Sequence, residues 1–197
     1  LDPARGVWAA GRASARQPAG GEVALPGLAR PVRVAYDARR VPHIFAEREE
    51  DAYAALGYVV ARDRLFQLHL SALAARGRLT EFAGPRALPL DRETRGLGLA
   101  RAAEQKLAAM DAPSRRVLDA YAAGVNAYLD RLGEGELPSE YRLAGGRPAR
   151  WEPLNSVALM TRMGYTLAQL TREDDRAAAG AHVGRAAAAA LFPAREP

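Results

Sequence analysis

The chain has 197 residues, of which 49% are hydrophobic, enough for one domain or a large piece of one, and nothing in its composition points to disorder. Its formal charge of +5 is carried almost wholly by arginine, Lys106 being the only lysine, and cations and carboxylates are interspersed. That distribution argues against a nucleic-acid footprint, the absence of cysteine excludes disulfides and thiolate metal sites, and no apolar run approaches the roughly 20 residues of a membrane span.

Residues 1–30 are rich in Pro, Gly, Ala and Arg and read as an irregular segment with turns at Gly20-Gly21 and Pro26-Gly27. Residues 1–21 lack the apolar region of a signal peptide, as a mature export product also would. Residues 32–36 alternate as a strand, and Pro42 makes 43–46 an extended or edge segment. Glu47, Glu49, Glu50 and Asp51 then place negative charge where a helix start favours it, and the helix runs to about Ala75, with Gly77 ending it.

On that helix Leu56, Val60, Asp63, Gln67, Leu70 and Ala74 recur at alternating steps of four and three and share one face. Phe66 and Leu73 extend the apolar surface on one side, and Leu65 and Leu68 on another, so burial on most sides is expected. Asp63 and Gln67 would then need partners, because an unpaired buried polar group costs about 1–3 kcal/mol and a charge more. Arg62 and Arg64 are the local candidates, with Asp91 or Arg95 further along the chain.

A second helix is expected over 114–132, with Pro113 at its start and a core stripe of Leu118, Tyr121, Val125, Tyr128 or Leu129, and Leu132. A third follows Trp151-Glu152-Pro153, with Asn155 as N-cap, a run through Leu170 and a stripe of Val157, Met160, Met163 or Gly164, and Leu167. The last, over 175–191, is alanine-rich and weakly amphipathic.

Chemistry-bearing residues do not converge in this pattern. His43, His69 and His182 have no metal-ligand spacing, and His43, in an extended segment, reads as structural. The serines lack the strand–turn–helix setting of a hydrolase nucleophile.

Read in order, Asp37, Val41-Pro42-His43-Ile44, Asp51, Gly57-Tyr58-Val59-Val60-Ala61, Asp63-Arg64-Leu65-Phe66-Gln67, Gly77-Arg78-Leu79-Thr80-Glu81 and Gly84 resemble the start of a penicillin acylase (penicillin amidase) α chain. Asp91, Arg95, Tyr121-Ala122-Ala123-Gly124-Val125-Asn126-Ala127, Leu137-Pro138 and Trp151-Glu152-Pro153 continue the match, over residues 31–175. The resemblance implies an α+β fold in which a mostly helical α chain completes a four-layer αββα N-terminal-nucleophile hydrolase sandwich with a separate β chain. Both would be cut from one precursor by self-cleavage. The chain then divides into an irregular segment 1–30, the acylase region 31–175 and an alanine-rich end 176–197.

The implied activity is removal of the acyl side chain of β-lactams or related N-acyl amides, giving a carboxylic acid and a 6-aminopenicillanate-type amine. No catalytic residue is expected in this chain, because the resemblance puts the nucleophilic serine, its own α-amino base and the oxyanion hole on the β chain. This chain would instead line the acyl pocket. Matching backwards from the acidic position puts Met163, Thr166 and Leu167 there, which places a methionine where well-matched members have one. Counting forwards from Trp151 gives Gly164, Leu167 and Ala168. Either set lacks the arginine and phenylalanine of benzylpenicillin-type members, which favours flexible aliphatic acyl chains. Ordinary core packing is the alternative for Met163 and Leu167.

A second departure is Ala72-Leu73, where the family usually has paired arginines, so ion pairs there are missing or supplied by Arg76. Glu173 aligns with a carboxylate ligand of a calcium ion shared with the β chain, or belongs with Asp174 and Asp175 to a solvated acidic helix cap. The resemblance also implies a periplasmic or extracellular location and a small-molecule N-acyl substrate. Two other readings are an acylase of N-acyl-homoserine lactones and a helical interaction protein without a catalytic role.

Overall fold

The computed structural model describes residues 22–133, 136–168 and 173–192. The chain forms two compact units, Leu1–Thr161 and Arg162–Pro197. In the first, β1 (Arg33–Tyr36) and β2 (Pro42–Phe45) make an antiparallel hairpin with Val34 opposite Ile44 and Tyr36 opposite Pro42. Asp37 builds the turn: its Oδ1 accepts the main-chain N–H groups of Arg39 and Val41, each at 2.9 Å, while Arg40 takes a φ of 65°. Pro42, which has no N–H, opens β2, a strand position where no donor is needed.

Helix α1 (Glu49–Ala75) is 27 residues and about 40 Å long. Glu49, Glu50 and Asp51 fill its first turn, and Asp51, buried, accepts the N–H groups of Ala29 and Arg30 at 2.9 and 3.0 Å. This one carboxylate both favours the helix start and holds the preceding segment against it. Its path is interrupted at Arg64, where φ and ψ are −140° and 26°. Arg76 caps it, and Gly77 turns the chain at a φ of 64°, a conformation glycine adopts freely.

There follow α2 (Thr80–Ala83), a 3₁₀ turn (Pro85–Ala87), α3 (Leu88–Gly96), α4 (Leu99–Ala108), α5 (Ala112–Arg131), α6 (Ser139–Ala144) and α7 (Pro153–Ala168). Asp111 caps α5 by accepting the Ser114 N–H at 2.7 Å, and Pro113 sits in the first turn, as expected. α1 packs on α5 with their backbones close together at Gly57 and Gly124, where a side chain on either glycine would meet the opposite main chain. The core of this unit gathers Ala61, Leu65, Ala72, Ala122, Val125, Leu137, Tyr141 and Trp151, with Tyr121, Tyr128, Leu129 and Leu132 of the expected α5 stripe packed against it. Leu118 instead joins a second cluster with Ala75, Ala103, Val157 and Ala158.

In the second unit α8 (Glu173–Val183) and α9 (Arg185–Leu191) replace the single helix expected over 175–191, because Gly184, at a φ of 84°, breaks it. No helix among the described residues is long and apolar enough to cross a membrane.

Three local expectations need correction. Asn155 is not the N-cap of α7: the helix begins at Pro153, whose fixed φ suits a first helical position, and Asn155 lies inside it. Asp63 and Gln67 are exposed rather than buried, and Asp63 pairs with Arg62 at 2.8 Å. Asp91 and Arg95 are engaged elsewhere, with Leu79, Thr80 and Gly77. The end of the third expected helix, Gln169 and Leu170, lies outside the described residues.

Candidate functional site

The entry to α7 is held by three side chains. Asn126 on α5 grips the main chain of Trp151 at two points, donating from Nδ2 to the carbonyl at 3.0 Å and accepting the N–H on Oδ1 at 2.8 Å. The Trp151 indole donates to Ser156 Oγ at 3.0 Å. Arg76, at the end of α1, donates from Nη1 to Glu152 Oε2 at 3.1 Å and to the buried Asn155 Oδ1 at 2.9 Å. Arg76 therefore supplies the ion pair at this place in the chain, where Ala72 and Leu73 have no charge to give. Val157, Ala158 and Thr161 turn inward along the first part of the helix, with Lys106 Nζ donating to Thr161 Oγ1 at 3.3 Å.

Further along α7, Met163 is 60% and Leu167 62% exposed, and the two stand one turn apart on the same side of the helix. Thr166 is also exposed, its hydroxyl donating back to the Arg162 carbonyl at 3.0 Å. Gly164 and Ala168, from the other count, are exposed as well. The residues read from sequence as pocket lining thus form an open apolar surface carrying a hydroxyl already satisfied by its own helix. Core packing, the alternative, would have buried them.

Glu173 is the first residue of α8, and its side chain lies outside the described residues. Among the described residues no group of three or more histidine or carboxylate side chains is placed to hold a metal. A calcium ion here would need most of its six to eight oxygens from outside those residues.

The matched motif Gly77-Arg78-Leu79-Thr80-Glu81 is organised by two residues whose roles sequence spacing did not reveal. The buried Asp91 carboxylate accepts the N–H groups of Leu79 and Thr80, both at 2.8 Å, and Arg95 Nε donates to the Gly77 carbonyl at 2.7 Å. Arg78 forks onto Glu81 at 2.7 and 2.8 Å. A shallow cavity of about 290 Å³ lies among Arg78, Thr80, Glu81, Leu88, Asp91, Arg92 and Arg95. Asp91 is committed to turning the chain, and Glu81 to Arg78.

Of the histidines, His43 faces Asp37, with Nε2 3.4 Å from Oδ2, a local contact in keeping with a structural role. His69 stacks on the fully buried Tyr141, whose hydroxyl lies 3.0 Å from Nδ1. Burial, with Glu140 assisting, pushes the Tyr141 phenol up, so it keeps its proton, and the direction of its hydrogen bond with Nδ1 follows the imidazole tautomer. Burial also lowers the His69 pKa, with Arg78 adding to the lowering and Glu81 opposing it, so the ring favours its neutral form.

Fold and site together describe a helical scaffold that presents an apolar helix face. The sequence model of the penicillin amidase family matches residues 31–196, and the chain belongs to that family. It is 43% identical over 154 residues to penicillin acylase 2 proenzyme of Pseudomonas sp. strain SE83, covering 78% of this chain and 20% of that one. It is 38% identical over 157 residues to the acyl-homoserine lactone acylase QuiP of Pseudomonas aeruginosa, covering 80% and 18%. Among solved structures, a chain of thermostable penicillin G acylase from Alcaligenes faecalis matches with a TM-score of 0.66 at 26% identity, over 85% of this chain and 95% of that chain. The chain spans about a fifth of the length of the curated relatives it matches. A mostly helical chain with a small sheet is therefore a penicillin acylase feature, as the motifs implied.

Proposed function

We propose that this chain is the α subunit of a heterodimeric penicillin acylase-like amide hydrolase, completing a four-layer sandwich with a β chain cut from the same precursor. The observation that carries the reading is the exposure of Met163 and Leu167: the wall of a pocket finished by another polypeptide is open in one chain alone. Coverage supports it, since this chain matches nearly all of a separate chain in the solved acylase but a fifth of a proenzyme.

In this reading the β-chain serine attacks the acyl carbonyl after passing its proton to its own α-amino group. The C–N bond breaks, the amine leaves with that proton, and water hydrolyses the acyl-enzyme to the acid. Met163 and Leu167 hold the acyl chain by excluding water from it. Glu173 contributes one oxygen to a shared calcium ion, and the enzyme works in the periplasm or outside the cell.

A second reading, an N-acyl-homoserine lactone acylase, draws on the QuiP relatives and on the same apolar wall. Both are tested by the whole protein on phenylacetyl, hexanoyl and octanoyl amides, with a penicillin competing against a long-chain homoserine lactone. Two added methylenes contribute about 1.6 kcal/mol, so octanoyl should exceed hexanoyl by roughly 15-fold in kcat/KM. Phenylacetyl clearly ahead would reject the aliphatic pocket, and no hydrolysis of any member would reject the enzyme.

A further inference from the structure

The cavity beside the Gly77-Arg78-Leu79-Thr80-Glu81 motif is electrically unbalanced: the guanidinium groups of Arg78, Arg92 and Arg95 border it against the two carboxylates of Glu81 and Asp91. Both carboxylates are spent within this turn. Asp91 takes the Leu79 and Thr80 N–H groups, one on each oxygen, and Glu81 takes both arms of the Arg78 fork. Arg95 gives Nε to the Gly77 carbonyl, and its charge lies close enough to Asp91 and Glu81 to be partly offset. Arg92 has no hydrogen bond or ion pair among the described residues. The Arg95 Nη groups and the whole Arg92 guanidinium are thus the donors left over, and a guanidinium, which cannot accept, calls for an acceptor.

Leu88, Arg92 and Arg95 follow one another at steps of four and three and share one face of α3. Arg95 is held in place there: its side chain lies over Gly77 so closely that a Cβ on that glycine would stand 2.8 Å from the arginine Cγ. A guanidinium fixed before a ligand arrives loses less conformational freedom when it binds. Leu88, exposed beside the two cations, gives the cavity an apolar edge that the arginine stems extend. Thr80 borders the cavity as well, and its hydroxyl, buried beside the Asp91 carboxylate, makes no hydrogen bond of sound geometry there.

We propose that this cavity binds a small organic carboxylate, with its oxygens on Arg92 and Arg95 and a short aliphatic tail on Leu88. Planar, forked guanidinium groups match the two oxygens of a carboxylate. The volume of about 290 Å³ lies at the lower end of the range for small-molecule sites, which keeps the tail to a few carbon atoms. Inorganic phosphate would satisfy the donors but leave the apolar edge against water. The proposal does not rest on the hydrolase reading, since none of these residues belongs to the acyl wall.

The test is isothermal titration of the full-length protein with hexanoate and with hexanamide, its uncharged analogue, for the parent and for Arg92→Gln. The substitution removes a side chain with no partner among the described residues, so the fold has little to lose by it. Hexanoate should bind the parent with a Kd of roughly 1 mM, and the Arg92-dependent part of that binding should weaken roughly tenfold in the variant. Hexanoate held on the acyl wall would titrate alike in both proteins and drops out of the comparison. Hexanamide should show no dependence on Arg92. In crystals of the full-length protein soaked in 6-bromohexanoate, the anomalous signal of bromine should fall beside Leu88. Hexanoate binding alike to parent and variant, or bromine found only elsewhere, would overturn the site, as would a cavity filled by another part of the full-length protein. Phosphate displacing hexanoate at equal concentration would overturn the carboxylate class. Binding is read without turnover, so its failure leaves the hydrolase reading standing.

Discussion

Gly124→Ala tests the packing on which the fold depends. An added Cβ would lie 1.8 Å from the Ala54 carbonyl oxygen, 2.7 Å from its carbon and 3.0 Å from the Tyr58 nitrogen. These are main-chain atoms of the facing helix and cannot rotate aside. To restore an ordinary separation of roughly 3.5 Å, α1 and α5 must part by roughly 1.5–2 Å. The gap would loosen Ala61, Leu65, Ala122 and Val125 together, so the cost should reach the upper end of overpacking, about 3 kcal/mol. Gly96→Ala, at a helical glycine with nothing within 4 Å, should be neutral or stabilise by up to about 1 kcal/mol. Thermal unfolding of the intact protein followed by circular dichroism compares the two. A Gly124→Ala variant within about 0.5 kcal/mol of the parent would refute the close approach.

Other outcomes follow from individual contacts. His69 has a folded pKa below its unfolded one, so the unfolded chain takes up the proton first and stability is lost as pH falls below about 6.5. The difference in denaturation midpoint between the parent and His69→Gln should narrow from pH 8 to pH 5, and a constant difference would contradict the assignment. Arg76→Ala strands the buried Asn155 oxygen and should cost about 1–3 kcal/mol in urea unfolding, whereas Glu152→Ala, removing an exposed partner, should cost under about 1 kcal/mol. Equal costs would mean that the ion pair, not the buried amide, matters. Asp91→Asn leaves one of the Leu79 and Thr80 N–H groups facing another donor, so hydrogen exchange at one of these amides should accelerate. Unchanged exchange at both would show that the carboxylate is not what holds the turn.

The hairpin and the long helices were legible because their signals are local. Pro42, the acidic run before α1, Gly77 and Pro113 each mark a boundary through their own backbone chemistry. Residues 80–108 gave no comparable signal. Their short helices are ordered by Asp91 and Arg95 bonding to main chain, and such contacts leave no periodic trace.

Gly184 was passed over inside an alanine run that otherwise favours one helix. The kink at Arg64 has neither proline nor glycine to announce it. The stripe expected on α7 is buried at Val157 but exposed at Met160, Met163 and Leu167, and the face expected on α1 is interrupted at Arg64 and exposed at Asp63 and Gln67, because periodicity does not say what covers a face. That is why Asp63 and Gln67 were expected in the core, and why only the family motifs, not spacing, offered Met163 and Leu167 a role outside it.

The central claim is that this chain is one of the two chains of a self-cleaved hydrolase, and intact-mass analysis with N-terminal sequencing of everything that co-purifies with it under native conditions tests that most directly. The account predicts a second, larger polypeptide from the same precursor that begins with serine. This chain recovered alone, folded and monodisperse, from cells expressing the complete gene would contradict it.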